Sequence, residues 1–257
     1  MRRITRREFA ATMVAAAAPG VIAGCDTPTA PPVSQGSGRL TARPATPTGT
    51  VTAGTFPLGL ATGRDGLLFV PSGYSPSRPA PLILALHGAQ GTAGSQLTLW
   101  TPHASARTTI VLAVDSRLST WDGVLQAFGP DVAFIDAALE LVFERCAIDP
   151  ARVFIAGASD GATYTISLAL ANGDLFKRAV GFFPAGIRES NSGRTGKPEF
   201  FIAHGTDDTV IPVSRSRTGT VPTLRADGYA VEYLEYEGGH SVPAAVATAA
   251  SDWLARP

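Results

Sequence analysis

The sequence has few of the residues that usually reveal a function by their number alone. Its 257 residues include two cysteines, Cys25 and Cys146, so a disulfide framework is excluded. Charged residues make up 16% of the chain and the formal net charge is zero, which argues against nucleic acid as the main partner. No internal repeat is visible, and no apolar stretch after residue 25 is long enough to cross a bilayer. What is present is a chain that is 45% hydrophobic, enough to bury the core of one large domain.

The first 24 residues have the composition of an export signal. A basic leader contains the pair Arg6–Arg7, and a run rich in alanine and valine extends from Ala10 to Ala23. An apolar-small-small-Cys pattern follows and ends at Cys25, which resembles the bacterial lipobox. We therefore predict an exported lipoprotein, held on the periplasmic or extracellular face of a membrane by lipid chains on Cys25. An ordinary cleaved signal with an incidental cysteine is the alternative.

Residues 25–50 are rich in proline, threonine, serine, glycine and alanine, and they show no apolar periodicity. This composition predicts a disordered tether between the membrane and the folded part of the protein. The folded catalytic domain is therefore expected to comprise residues 51–257.

Strand-like and helix-like segments alternate along residues 51–257. The strand-like segments are short runs of Val, Ile, Leu and Phe, which are typical of strands buried on both faces of a parallel sheet. They are 67–70, 82–86, 110–114, 153–155, 179–183, 200–203 and 231–236, and the helix-like segments are 131–146, 162–171, 212–226 and 244–254. The alternation predicts an α/β fold with a mainly parallel central sheet flanked by helices. Functional residues should then lie in loops at the carboxyl ends of the strands.

A Gly-x-Ser-x-Gly motif, Gly157–Gly161, stands between a predicted strand and a predicted helix. A serine on a sharp, outward-pointing turn needs neighbours that are nearly free of side chains. The helix that follows aims its first backbone N–H groups at the same point. Ser159 is therefore the candidate nucleophile, and a glycine turn without chemistry is the alternative interpretation.

The segment His87–Gly91 follows another predicted strand and is rich in glycine. Such a turn can present backbone N–H groups without obstruction by side chains. We expect the N–H groups of Ala89 and Asp160 to form an oxyanion hole, which would stabilise negative charge on a former carbonyl oxygen. His87 itself is expected to be a structural residue that holds this loop.

Two further loops supply an acid and a base. Asp207 and Asp208 follow the predicted strand 200–203, and either carboxylate could orient an imidazole and stabilise its cation. His240 follows two glycines after the last predicted strand, which makes it the expected general base for Ser159. Spacing alone does not choose between the two aspartates.

Six segments carry these candidate residues and their surroundings. They are HGAQGT (87–92), DSRLSTWDG (115–123), GPDVAFID (129–136), GASDGA (157–162), HGTDDTVIP (204–212) and EGGHSVP (237–243). Together they resemble bacterial α/β-hydrolase esterases, the group that includes phospholipase/carboxylesterases and the polyhydroxybutyrate depolymerase-like and feruloyl esterase-like proteins. The resemblance extends over residues 55–257, and the order Ser, Asp, His along the chain is also that of α/β-hydrolases.

The resemblance implies a serine esterase with the α/β-hydrolase fold and selects Asp208 over Asp207 as the acid. In this group the segment around Trp121 lies near the acyl pocket, so Trp121 is a predicted substrate contact, and Gln90 in the glycine-rich turn is a second one. A core tryptophan is the alternative for Trp121. No metal or organic cofactor is implied.

These observations predict a serine carboxylester hydrolase that works through an acyl-enzyme. The polar connection before the strand at 200–203 is short, which predicts little or no lid and a preference for small or soluble acyl esters. A non-catalytic surface lipoprotein that keeps the fold for binding is one alternative. A peptidase or thioesterase that uses the same three side chains is the other.

Overall fold

A computed structural model describes residues 36–257 of the chain. The predicted signal peptide and the predicted lipidation site, Cys25, lie outside the described residues. Within the described residues, no helix combines the length and the apolar character that crossing a membrane requires.

Eight strands form one sheet in the order β1-β2-β4-β3-β5-β6-β7-β8. The two strands at one side, β1 and β2, pair in antiparallel fashion, and the remaining strands are parallel to each other. The strands are β1 Gly54–Pro57, β2 Gly66–Val70, β3 Ala80–Leu86, β4 Ile110–Val114, β5 Ile148–Ala158, β6 Arg178–Phe182, β7 Glu199–Gly205 and β8 Val231–Tyr236. The predicted mainly parallel sheet is therefore confirmed.

Helices cover both faces of this sheet. They are α1 Ala93–Arg107, α2 Asp122–Leu125, α3 Pro130–Arg145, α4 Asp160–Ala171, a π-helix Arg215–Thr220, α5 Val221–Ala226 and α6 Ala244–Leu254. Alternate residues of β3 pack on opposite faces, Leu82 and Leu84 against the layer of α3, α4 and α5, and Ile83 against α1 and α6. Nearly every residue of β3, β4, β6 and β7 is buried because both faces of the sheet are covered there, which explains why these strands are almost uninterrupted apolar runs.

Four elements differ from the sequence prediction, of which β1 and the short helix α2 were simply not expected. Helix α1 was not expected, because its large apolar residues are few and Pro102 interrupts its backbone hydrogen bonding. Its buried positions, among them Leu97 and Trp100, nevertheless follow helical spacing. The helix expected over 212–226 begins instead at Arg215 with a π-helical turn, and α5 follows directly with Pro222 in its first turn.

Residues 36–50 correct the predicted tether. They form no regular element, yet Leu40 is fully buried in the main core and its N–H donates to Asn172 Oδ1 at 2.8 Å. The Arg39 guanidinium makes a bidentate ion pair with the Asp174 carboxylate, with N–O distances of 2.6 and 2.5 Å. Arg43 Nη2 lies 2.6 Å from the same carboxylate. This part of the segment therefore belongs to the folded domain, because specific side chains hold it where composition alone suggests disorder.

Candidate active site

The carboxyl ends of five parallel strands meet at one edge of the sheet. Strand pairing places Leu86 beside Gly157, Ala158 beside Phe182, and Phe182 beside Ala203. The loops that follow β3, β5, β6, β7 and β8 therefore converge, and these loops carry the candidate residues. The sequence expectation about their location is met.

Ser159 occupies a strained turn between β5 and α4. Its backbone has φ +58° and ψ −123°, a conformation that costs a non-glycine residue about 1–3 kcal/mol. The Ser159 N–H is anchored to Phe182 O at 2.9 Å. A Cβ at Gly157 would lie 2.4 Å from Gly161 O, and a Cβ at Gly161 would lie 2.4 Å from Leu86 O, so both glycines of the motif are required by close packing.

A continuous row of hydrogen bonds connects three of the candidate side chains. Ser159 Oγ lies 3.0 Å from His240 Nε2, and His240 Nδ1 lies 2.7 Å from Asp208 Oδ2. Because the carboxylate accepts from Nδ1–H, the neutral imidazole presents Nε2 as an acceptor to the serine hydroxyl. This row can take a proton from the serine and hold it as an imidazolium beside a carboxylate.

The Asp208 carboxylate is held in its ionised form by its hydrogen-bond donors. Its side chain is fully buried, and burial alone would raise its pKa. The N–H groups of Ile211 and Val210 donate to Oδ1 at 2.8 and 2.9 Å, and with His240 they lower the pKa of Asp208 below its ordinary value. Asp207, in contrast, is exposed, and the structure does not bring its side chain to His240.

His204 lies directly behind Asp208 and is a site residue that sequence reasoning did not assign. Its Nε2–H donates to Ile211 O at 2.8 Å and lies 3.4 Å from Asp208 Oδ2, while Nδ1 accepts from the Ser216 hydroxyl at 2.7 Å. Burial lowers the pKa of His204, so the ring is neutral and this tautomer satisfies both nitrogens. His204 thereby fixes the loop whose N–H groups hold Asp208, and its place at the start of the segment HGTDDTVIP was the only signal in the sequence.

Phe183 is a second residue that the sequence did not reveal as part of the site. It follows β6 directly, has φ +46°, and its ring centroid lies 4.3 Å from that of His240. The aromatic ring therefore covers one side of the imidazole, which leaves only part of the His240 side chain, 22%, exposed to solvent. No periodicity or motif distinguishes this phenylalanine from its neighbours in β6.

Two backbone N–H groups lie free beside the serine. Among the described residues, neither the Ala89 N–H nor the Asp160 N–H has an acceptor. The turn that contains Ala89 is close to the serine, because a Cβ added at Gly88 would lie 3.2 Å from Ser159 Cβ. Two free donors at this place can receive a developing negative charge.

His87 holds the glycine-rich turn, as the sequence analysis expects. It is fully buried, and its Nε2 accepts from the Ser116 N–H at 3.0 Å and lies 3.0 Å from an Arg64 nitrogen. Its Nδ1–H consequently donates to Gly88 O at 2.6 Å. Burial lowers the pKa of His87, so the ring stays neutral. Because its Nε2 already accepts from the Ser116 N–H, the ring has no free nitrogen with which to act as a base.

Trp121 is not a substrate contact, which corrects the sequence prediction. Its side chain is fully buried between the rings of His87 and Tyr164, and its indole N–H donates to His87 O at 2.8 Å. The alternative, a core tryptophan, is the observed arrangement. Gln90 is exposed at the tip of its turn with φ +59°, and its role as a substrate contact stays a prediction.

Other reactive groups lie apart from this row. Cys146 is buried at the end of α3, where burial raises the pKa of its thiol to about 12. Within residues 36–257, no group of three or more His, Cys, Asp or Glu side chains is arranged to hold a metal ion.

Known proteins with similar sequences are feruloyl esterases. Feruloyl esterase C of Emericella nidulans is 29% identical over 209 residues, which cover 69% of this chain and 76% of that protein. A probable feruloyl esterase C of Aspergillus terreus is 26% identical over stretches of the same extent. No model of a known protein family matches the chain.

Solved structures with a similar fold include esterases. A thermostable esterase superposes with a TM-score of 0.61 at 25% identity, covering 79% of this chain and 61% of that one. A ferulic acid esterase of Anaeromyces mucronatus, in complex with ferulic acid, superposes with a TM-score of 0.56 at 19% identity, covering 76% of this chain and 87% of that one.

Proposed function

We propose that this chain, a carboxylic ester hydrolase with the α/β-hydrolase fold, cleaves small or soluble acyl esters through an acyl-enzyme on Ser159. The observation that carries the proposal is the hydrogen-bonded row of Ser159, His240 and Asp208 beside two free backbone N–H groups. Each part of this arrangement has a defined task in acyl transfer.

The first half of the reaction forms the acyl-enzyme. Ser159 Oγ attacks the ester carbonyl carbon while His240 Nε2 takes the hydroxyl proton. The carbonyl oxygen becomes an oxyanion, which accepts hydrogen bonds from the Ala89 and Asp160 N–H groups. As the C–O bond to the alcohol breaks, His240 gives its proton to the leaving alkoxide, and the acyl group stays on the serine.

The second half releases the acid. Water attacks the acyl carbonyl carbon, His240 takes a proton from it, and the same two N–H groups hold the second oxyanion. Collapse of this intermediate returns the proton to Ser159 Oγ and frees the carboxylic acid. Throughout, Asp208 keeps the imidazole in the tautomer that accepts at Nε2 and stabilises the imidazolium that forms in each half.

Ester hydrolysis by the purified folded protein tests this proposal. We expect p-nitrophenyl butyrate to be cleaved by the wild type, and Ser159→Ala to lose activity by several orders of magnitude, on the order of 10⁴ or more. Methyl ferulate belongs in the same assay because the named relatives are feruloyl esterases. A Ser159→Ala variant that keeps most of its activity while remaining folded would refute the proposal.

The predicted export signal and the lipid anchor at Cys25 form a separate part of the proposal. Their support is the sequence of residues 1–25 alone. Expression of the full chain in a bacterial host with metabolic labelling by a fatty acid tests them, and absence of label on wild type and Cys25→Ala alike would contradict the anchor.

A further inference from the structure

One loop beside the site is closed on itself by a single buried carboxylate. We name Arg117–Asp122 the clamp loop; it follows β4 and ends at Asp122, the first residue of α2. Asp131, at the start of α3, is only 1% exposed, and its Oδ1 accepts from the Arg117 N–H at 2.5 Å. Its Oδ2 accepts from the Asp122 N–H at 2.6 Å. Both ends of the clamp loop are therefore tied to one side chain.

The base of the clamp loop is tied a second time, by the carboxylate of its own last residue. Asp122 Oδ2 accepts from the Asp131 and Gly129 N–H groups at 2.7 and 2.9 Å, and Asp122 Oδ1 accepts from the Tyr164 hydroxyl at 2.8 Å. Every oxygen of the two carboxylates thus has a donor, as buried carboxylates require. These hydrogen bonds favour the observed shape of the loop, because another shape would leave the buried Asp131 carboxylate without its donors.

Two adjacent residues of the clamp loop each hold one of the two turns that carry the free N–H groups. The Thr120 hydroxyl donates to Asp160 Oδ2 at 2.8 Å, and the Trp121 indole N–H donates to His87 O at 2.8 Å. The Gln90 N–H also donates to Ser119 O of the clamp loop, at 2.6 Å. The clamp loop therefore makes hydrogen bonds to both turns, although the two turns follow different strands of the sheet.

We propose that the clamp loop sets the spacing and direction of the Ala89 and Asp160 N–H groups, with Thr120 and Trp121 as positioning residues for the oxyanion hole. This inference rests on the proposed function. Oxyanion stabilisation depends on both donors lying about 2.7–3.1 Å from the developing charge. The two N–H groups belong to separate turns, so a contact that spans both turns is what keeps that distance fixed before substrate arrives.

The structure offers a matched control for each positioning residue. Trp100 is fully buried like Trp121, but its indole N–H has no hydrogen-bond partner within residues 36–257. Thr165 is buried like Thr120, and its hydroxyl also lacks a partner there. Trp121→Phe and Thr120→Val remove a bond to an oxyanion turn, whereas Trp100→Phe and Thr165→Val remove a similar group that makes no bond.

Steady-state kinetics and an oxyanion-forming inhibitor distinguish positioning from a merely structural role. We expect Trp121→Phe and Thr120→Val each to lower kcat about tenfold with KM changed by less than about twofold, because only the transition state uses the hole. The Ki of a trifluoromethyl ketone, which forms a tetrahedral oxyanion on the serine, should rise by about the same factor as kcat/KM falls. The control variants should match wild type in kcat and Ki.

Thermal unfolding of all four variants completes the experiment. If Trp121→Phe and Thr120→Val lower Tm yet keep wild-type kcat and Ki, the clamp inference is wrong and the proposed function stands. If the wild type neither hydrolyses the ester nor binds the ketone, the proposed function fails and the clamp inference fails with it. Should one positioning variant not fold, the other decides, since each holds a different turn.

Discussion

At the scale of single residues, the choice between Asp207 and Asp208 is made by their surroundings. The two side chains are chemically identical and adjacent, yet only Asp208 points to His240 Nδ1, at 2.7 Å. The donors from Val210 and Ile211 act only on Asp208, and they hold its pKa below the ordinary value. Residue type and spacing could not make this choice; the resemblance to a known group of esterases did.

Isosteric amide variants test the assignment of the acid. We expect Asp208→Asn to lower kcat by on the order of 10⁴, because the amide turns the imidazole to the wrong tautomer, as in serine proteases. Asp207→Asn, at an exposed position, should stay within about twofold of wild type. Ester hydrolysis by the three proteins measures the difference, and the opposite ranking would show that the acid is Asp207.

Trp121 shows where sequence reasoning ends at this scale. Its segment could be recognised as part of the site, but whether a tryptophan lies in the core or lines a pocket depends on what covers it. Trp121 is completely buried under the His87 turn, so it belongs to the core. There its indole N–H donates a hydrogen bond to His87 O. Phe183 and His204 are similar cases, since only the folded chain brings them to His240 and Asp208.

At the scale of elements, seven of the eight strands could be predicted from short apolar runs, and helices α3, α4 and α6 from helix-like patterns. Helix α1 could not, since it has few large apolar residues and contains Pro102. Residues 36–50 could not either, because one leucine and two arginines, rather than a periodic pattern, hold this segment to the domain. Composition describes the average character of a segment, so it does not reveal single residues that attach the segment to the domain.

The stability of a leucine variant tests whether residues 36–50 belong to the folded domain. Leu40 is 0% exposed, so Leu40→Ala should lower the free energy of unfolding by about 2–5 kcal/mol, as for other buried leucines. Leu60→Ala is the control: Leu60 is 39% exposed, and its change should be within about 0.5 kcal/mol. Urea unfolding measures both, and equal midpoints for the two variants would support the disordered tether instead.

At the scale of the whole molecule, the sequence predicts where the site lies, because the predicted parallel sheet brings the loops at its strand ends together. Strand-end loops after β3, β5, β7 and β8 carry the glycine-rich turn, Ser159, Asp208 and His240, and parallel pairing brings them to one edge. The α/β fold with a mainly parallel sheet was predictable for this reason, and the resemblance to known esterases implied the α/β-hydrolase fold. Contacts between loops could not be predicted from the sequence. The hydrogen bonds from the clamp loop to Asp160 and to His87 O are examples.

The connection between β6 and β7 leads to a prediction about substrate size. No helix occurs between β6 and β7 in the described chain, so this connection has no lid that could cover a long acyl chain. We expect kcat/KM to be higher for p-nitrophenyl acetate and butyrate than for the palmitate. A preference for palmitate would overturn the prediction of small or soluble esters.

Covalent labelling by a fluorophosphonate tests the central claim most directly, because the probe reacts only with an activated serine. Peptide mapping by mass spectrometry should find one adduct, on Ser159, in the wild type and none in Ser159→Ala. The label should also be lost or strongly slowed in His240→Ala, since the hydroxyl then has no base. An unlabelled wild type, or an adduct on another residue, would contradict the account.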